Sequence, residues 1–200
     1  MNNLLKKALV KSHSKAVVVQ RAANYAGHTV KQFSVMPHNL CMTQEKMHAY
    51  ATAKVAEHAT ELNNVELSFD FVLGMDLNMV AAYFPESHTI AFPAHTQQII
   101  EQAITLGMKW ETYVDCVIAH EMGHVLDPEV SSYIAALQAQ DGVYNQRRYM
   151  ANNMFALEVT AEELGAQFAK DKKAFRLFNK ANQTAYNKVI KQIRESIGGR

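Results

Sequence analysis

The chain has 200 residues, 48% hydrophobic and 20% charged, with a formal net charge of +1, the composition of one soluble globular domain with a real core. No apolar run is long enough to cross a membrane, and none of signal-peptide length follows Lys6, Lys7, Lys11 and Lys15, so a cytoplasmic protein is expected. Two isolated cysteines, Cys41 and Cys116, exclude a disulfide framework and fit a reducing compartment.

The small net charge hides an uneven distribution. Residues 1–31 carry six Lys or Arg and no acid, and residues 170–200 carry nine against two, which leaves residues 32–169 with twelve more acids than bases. Basic ends can bind nucleic acid, but solvated helical faces account for most such runs, so a nucleic-acid partner is not expected.

In chain order, residues 3–25 read as helical. A second helix starts at Thr43 and runs to 62, with Met47, Tyr50, Val55 and Leu62 at roughly helical spacing. Leu67, Phe69, Phe71 and Leu73 then alternate with Glu66, Ser68 and Asp70 as in a half-buried strand, and Gly74 to Asn78 supplies a turn. Two short strands follow, Met79 to Phe84 and His88 to Phe92, joined through Pro85-Glu86-Ser87. Residues 88–92 would form either a sheet edge that pairs with an extended peptide or a plain structural strand, two readings that sequence does not separate; His88 and His95 nearby read as surface histidines. Helices come next, at about 96–106 ended by Gly107, at 111–126 stopped by Asp127-Pro128, at 129–140, from about 146, and finally over roughly 172–196.

The helix at 111–126 carries His120-Glu121-Met122-Gly123-His124. Its chance expectation in this composition is only about 0.03 occurrences. Two histidines four residues apart share one helical face and can hold one metal ion; zinc held so, with a third ligand, keeps a position for water and lowers that water's pKa to about 7. Glu121, about 100° round the helix, can take the proton as water attacks a carbonyl. Val117, Ile118, Ala119, Met122, Val125 and Leu126 are apolar, so the histidines sit in a helix packed on several sides, where burial without a partner would be costly. Gly123 costs about 1 kcal/mol against alanine in a helix interior, which marks the close approach of a second helix. Cys116, four residues before His120, reads as a small buried hydrophobe.

The helix containing Phe155 to Ala169 supplies a matching face, on which Glu158, Ala161, Glu162 and Gly165 are spaced by three, four and seven residues. Two carboxylates thus stand among residues too small to block a neighbouring backbone. Glu163 points elsewhere.

In this two-part pattern the chain resembles the glutamate-zincins, in which HExxH is followed by a second helix bearing Glu-x-x-Ala and then an Asp, Asn or Glu. Glu158-x-x-Ala161-Glu162-x-x-Gly165 is similar to the HtpX-type peptidases, and the size and absence of a membrane span are similar to the compact ImmA/IrrE-type peptidases. The resemblance covers about residues 65–170. It implies zinc bound by His120, His124 and Glu158, with Glu162 behind them orienting a histidine. The glutamate at 162, in place of the commoner Asp or Asn, leaves open the reverse assignment, in which Glu162 binds zinc and Glu158 supports it.

The expectation is therefore a single α+β, zincin-like domain with a small antiparallel or mixed sheet packed on the HExxH helix and on the ligand helix. Its peptidase core would span about 40–170, with basic helical extensions at 1–39 and 171–200. The expected function is a zinc metalloendopeptidase acting on a protein or peptide, of the site-specific regulatory kind, with Glu121 activating water. Tyr144 and Tyr149, which precede the ligand helix, are the candidates for steadying the oxyanion. The alternative is a catalytically silent, zinc-stabilised binding protein with a peptidase fold; the presence of Glu121, which is not a ligand, argues for catalysis.

Overall fold

The computed structural model describes residues 30–71, 80–93 and 96–198. The expected helix over 3–25, the turn at Gly74–Asn78 and His95 lie outside them. The described chain forms α1 (Val30–Asn39), α2 (Gln44–Ala56), β1 (Glu66–Phe71), β2 (Ala82–Phe84), β3 (Thr89–Pro93), α3 (Gln97–Thr105), α4 (Trp110–Leu126), α5 (Val130–Gln138), α6 (Gly142–Gly165) and α7 (Lys172–Gly198). This is a mostly helical α+β arrangement with one three-stranded mixed sheet. Among the described residues no helix is long and apolar enough to cross a membrane.

Local chemistry sets several boundaries. Thr43 caps α2, its hydroxyl accepting the Lys46 N–H at 3.2 Å. The helix stops at Ala56, short of the expected 62, although Leu62 is fully buried. Asn63 and Asn64 adopt left-handed φ values of 51° and 56°, which asparagine tolerates better than most residues, and they turn the chain into β1. The C-terminus of α3 is closed by Gly107 at φ 65°: the Met108 N–H reaches the Ala103 carbonyl and the Gly107 N–H that of Ile104, the pairing that satisfies orphan carbonyls at a helix end. Asp127, extended ahead of Pro128, ends α4.

The strand order is β1-β3-β2, with β1 parallel and β2 antiparallel to β3. The reading of residues 88–92 as an edge is therefore corrected. β3 is the central strand, and Ile90, Ala91 and Phe92 are buried in succession, as a strand covered on both faces requires. The edge strand that touches α4 is β2.

α4 runs through the middle of the molecule against α2, α3, α6, α7 and β2, with its residues from Val114 to His124 buried apart from Asp115. Segments read from charge as additions to the core contribute to it. On α7, which Asp171 caps by accepting the Lys173 and Ala174 N–H groups, Phe175 and Phe178 are core residues, while Lys180, Lys188 and Lys191 are exposed. On α1, Asn39 is fully buried, donates from Nδ2 to the Met108 carbonyl at 2.8 Å and accepts the Trp110 N–H at 2.6 Å. It thus serves the start of α4, where Lys109 makes no side-chain cap. Asn39→Ala would leave both groups unsatisfied at about 1–3 kcal/mol each. A net loss of about 2–3 kcal/mol is expected in denaturant titration, and a loss under 0.5 kcal/mol would contradict this role.

Candidate metal centre

The centre is built where α4 and α6 cross, and the crossing is set by two glycines. A Cβ on Gly123 would fall inside the Ala161 carbonyl, and one on Gly165 inside the Ala119 carbonyl. Each helix thus presents a glycine to the backbone of the other, and the small-residue stripe read from the sequence is the contact surface itself.

This approach brings three side chains together. Nε2 of His120 lies 3.0 Å and Nε2 of His124 lies 3.5 Å from Oε2 of Glu158, and one ligand atom from each lies within 4.8 Å of the others. The imidazoles stand nearly perpendicular, with centroids 4.9 Å apart. The histidines are enclosed, His120 at 3% and His124 at 7% exposed with Glu121 between them at 5%, while the Glu158 side chain is 15% exposed.

The charges are strongly coupled. Burial opposes charge on His120, but the Glu158 hydrogen bond and the charges of Glu158, Glu121 and Glu162 outweigh it and raise its pKa. Burial opposes charge on Glu158 too, yet the two imidazoles hold its carboxyl far below the usual range. Burial raises the Glu121 pKa, against the opposing pull of the two histidines and of the Tyr83 backbone N–H, which donates to this carboxylate. Oε2 of Glu121 has no partner, and neither does Nδ1 of either histidine.

Two imidazole nitrogens and one carboxylate oxygen converging in an enclosed space are a donor set suited to zinc. Those nitrogens face a carboxylate whose charge favours a proton on His120, and a divalent cation would take the place of that proton. The residues therefore fit a metal ion.

Glu162 is not part of this cluster. Its Oε2 accepts a hydrogen bond from Nε2 of Gln183 at 2.6 Å, and its Oε1 is buried without a partner. It acts on His120 through its charge. Tyr144 is 46% exposed, and Tyr149 rests on the Tyr133 ring at 5.4 Å; neither has a contact with the cluster. The tyrosine that reaches it is Tyr186 on α7, whose hydroxyl lies 3.5 Å from Nε2 of His120 and donates to Glu158. Burial and the charges of Glu158, Glu121 and Glu162 keep this phenol protonated. Tyr133 on α5 lies near enough for burial and the Glu158 charge to push its pKa up to about 12.

Sequence reasoning missed Gln183 and Tyr186. The signal was there in the apolar stripe of Phe175, Phe178, Tyr186, Val189, Ile190 and Ile193, which marks α7 as a packed helix whose inward face must carry its polar members into the protein. Cys116 lies in the hydrophobic core, its thiol pushed up to about 12 by burial and then by Asp115 and Asp171. His88 bonds Tyr83 at 3.0 Å and the Leu62 carbonyl at 2.9 Å, so it is a half-buried turn residue.

Comparison with known proteins finds no matching family model, no matching curated protein and no matching solved structure.

Proposed function

We propose that the chain is a zinc-dependent metallopeptidase with a glutamate-zincin arrangement, in which His120, His124 and Glu158 hold the ion and Glu121 is the general base. The observation that carries this is the convergence of the HExxH histidines and Glu158 across a helix crossing fixed by Gly123 and Gly165. When bound, zinc would polarise a peptide carbonyl and acidify the attacking water.

The chain's own residues supply the remaining chemistry. Glu121 sits between the two ligands on α4, and burial raises its pKa, the direction that strengthens a carboxylate as a proton acceptor. The Tyr83 N–H from β2 orients its carboxylate while Oε2 stays free to take a proton from water and later give it to the departing amine. Glu162, tethered by Gln183, places negative charge behind His120 and thereby favours an electron-rich imidazole.

Glu121→Gln is expected to fold and to bind one equivalent of zinc while losing about 10²–10⁴ of peptide-cleaving rate. The assay is identification of fragments released from a proteome by the wild type and not by the variant. Undiminished release by the variant would sink the mechanism.

The burial of the HExxH residues favours a second reading, a zinc-stabilised binding protein without turnover, because His120, Glu121 and His124, only 3–7% exposed, leave little access for a substrate. In that case wild type and Glu121→Gln would capture the same partner and neither would release fragments.

A further inference from the structure

Tyr186 stands where a fourth ligand would stand. Ligand bonds of about 2.0–2.1 Å at tetrahedral angles put neighbouring ligand atoms about 3.3–3.4 Å apart. Around Glu158 the His120 and His124 nitrogens lie at 3.0 and 3.5 Å. The Tyr186 hydroxyl lies at 3.5 Å from the His120 nitrogen and in hydrogen-bond contact with the Glu158 carboxylate. Its separation from the His120 nitrogen is that which two ligands of one ion have from each other.

The side chain is held there from two directions. Its ring packs with Met150, Val189 and Ile193 on the cluster of Ala151, Met154 and Ile190 between α6 and α7. Gln183, three residues earlier and so on the same face of α7, anchors the helix to Glu162 on α6. A tyrosine that merely filled space would not need its hydroxyl directed at two prospective ligands.

We infer that Tyr186 is the fourth protein ligand of the resting metal centre, so that the position needed by water or a substrate carbonyl opens only when the phenol is displaced. Coordination replaces the phenolic O–H bond with an oxygen–metal bond, and the proton leaves to solvent. This inference rests on the metal-centre reading above. It accounts for the burial of the HExxH residues, since a group complete with four protein ligands needs no solvent opening.

The test uses copper(II) as the probe, because a phenolate bound to it gives a charge-transfer band in the visible that imidazole and carboxylate do not give. The wild-type chain loaded with one equivalent of copper(II) is expected to show this band, with resonance-enhanced phenolate ring vibrations. Tyr186→Phe should lose both while keeping the stoichiometry, and Tyr144→Phe and Tyr149→Phe should keep both. Tyr186→Phe should also release zinc to excess chelator about tenfold faster. A copper-loaded wild type without the band overturns the inference whether or not the variant folds, as does an unchanged spectrum in Tyr186→Phe. Failure of the wild type to take up metal through His120, His124 and Glu158 would instead overturn the metal-centre reading itself.

Discussion

Gly165→Ala and Gly123→Ala are each expected to destabilise the protein by about 2 kcal/mol net or more and to loosen its hold on metal. A methyl at either position meets a backbone carbonyl of the partner helix rather than a flexible side chain, so α4 and α6 can accept it only by moving apart. Overpacking costs about 1–3 kcal/mol, occasionally more, and a Cβ driven into a backbone carbonyl, which cannot swing aside, puts this clash at or above the upper end. Alanine's better helix propensity returns only about 1 kcal/mol, so the clash wins. For a domain of this size each kcal/mol lowers Tm by about 2–4 °C, and a fall of at least about 4–8 °C is expected in thermal unfolding. Because the ligands sit on the two helices being separated, metal stoichiometry should fall together with Tm. Gly198→Ala, where nothing lies within 4 Å of the added carbon, serves as the control and should stay within about 0.5 kcal/mol of wild type. Unchanged Tm in both interior variants would refute the tight crossing.

Zinc itself should stabilise the wild-type chain strongly. An ion bound only by the folded state adds about 4 kcal/mol at a thousand times its Kd, which corresponds to a rise in Tm of about 8–16 °C. Chelator should reverse the rise. His120→Ala, His124→Ala and Glu158→Ala are expected to abolish both the rise and the one-to-one stoichiometry seen in a zinc titration. Glu162→Gln keeps a hydrogen-bonding side chain for Gln183 and removes only a charge, so it should bind one equivalent at an affinity lower by about tenfold. The opposite pattern, with metal lost from the Glu162 variant and retained by the Glu158 variant, would install the reverse assignment of the two glutamates. No change in Tm with zinc for the wild type would remove the metal centre altogether.

The parts of this site that could be read from sequence are those fixed by covalent spacing within one helix. The four-residue spacing of His120 and His124, and the offsets linking Glu158, Ala161, Glu162 and Gly165, determine which side chains share a face whatever the tertiary structure. Gly123 added a hint of the partner, because its penalty has no local compensation. What could not be read depends on packing across long separations. Tyr186 meets His120 across 66 residues, and the charge count drew attention to the solvated side of α7 and away from its inner face. The strand order failed for a similar reason. Local alternation marks a strand, but whether β3 is central depends on its parallel pairing with β1, which no turn residue announces. In α2 the helical spacing of Leu62 was genuine burial reached through a turn, so periodicity alone overran the helix end.

The hydrogen bond from Tyr83 to Glu121 also affects how the protein behaves in a crowd. Exposed edge strands are where sheets of separate molecules join, by lending their spare amides to a neighbour. β2 is only three residues long, and its middle amide is already committed to a buried carboxylate on α4. Such a strand is a poor template for aggregation. The glutamate proposed as the proton acceptor therefore also helps to blunt this side of the sheet.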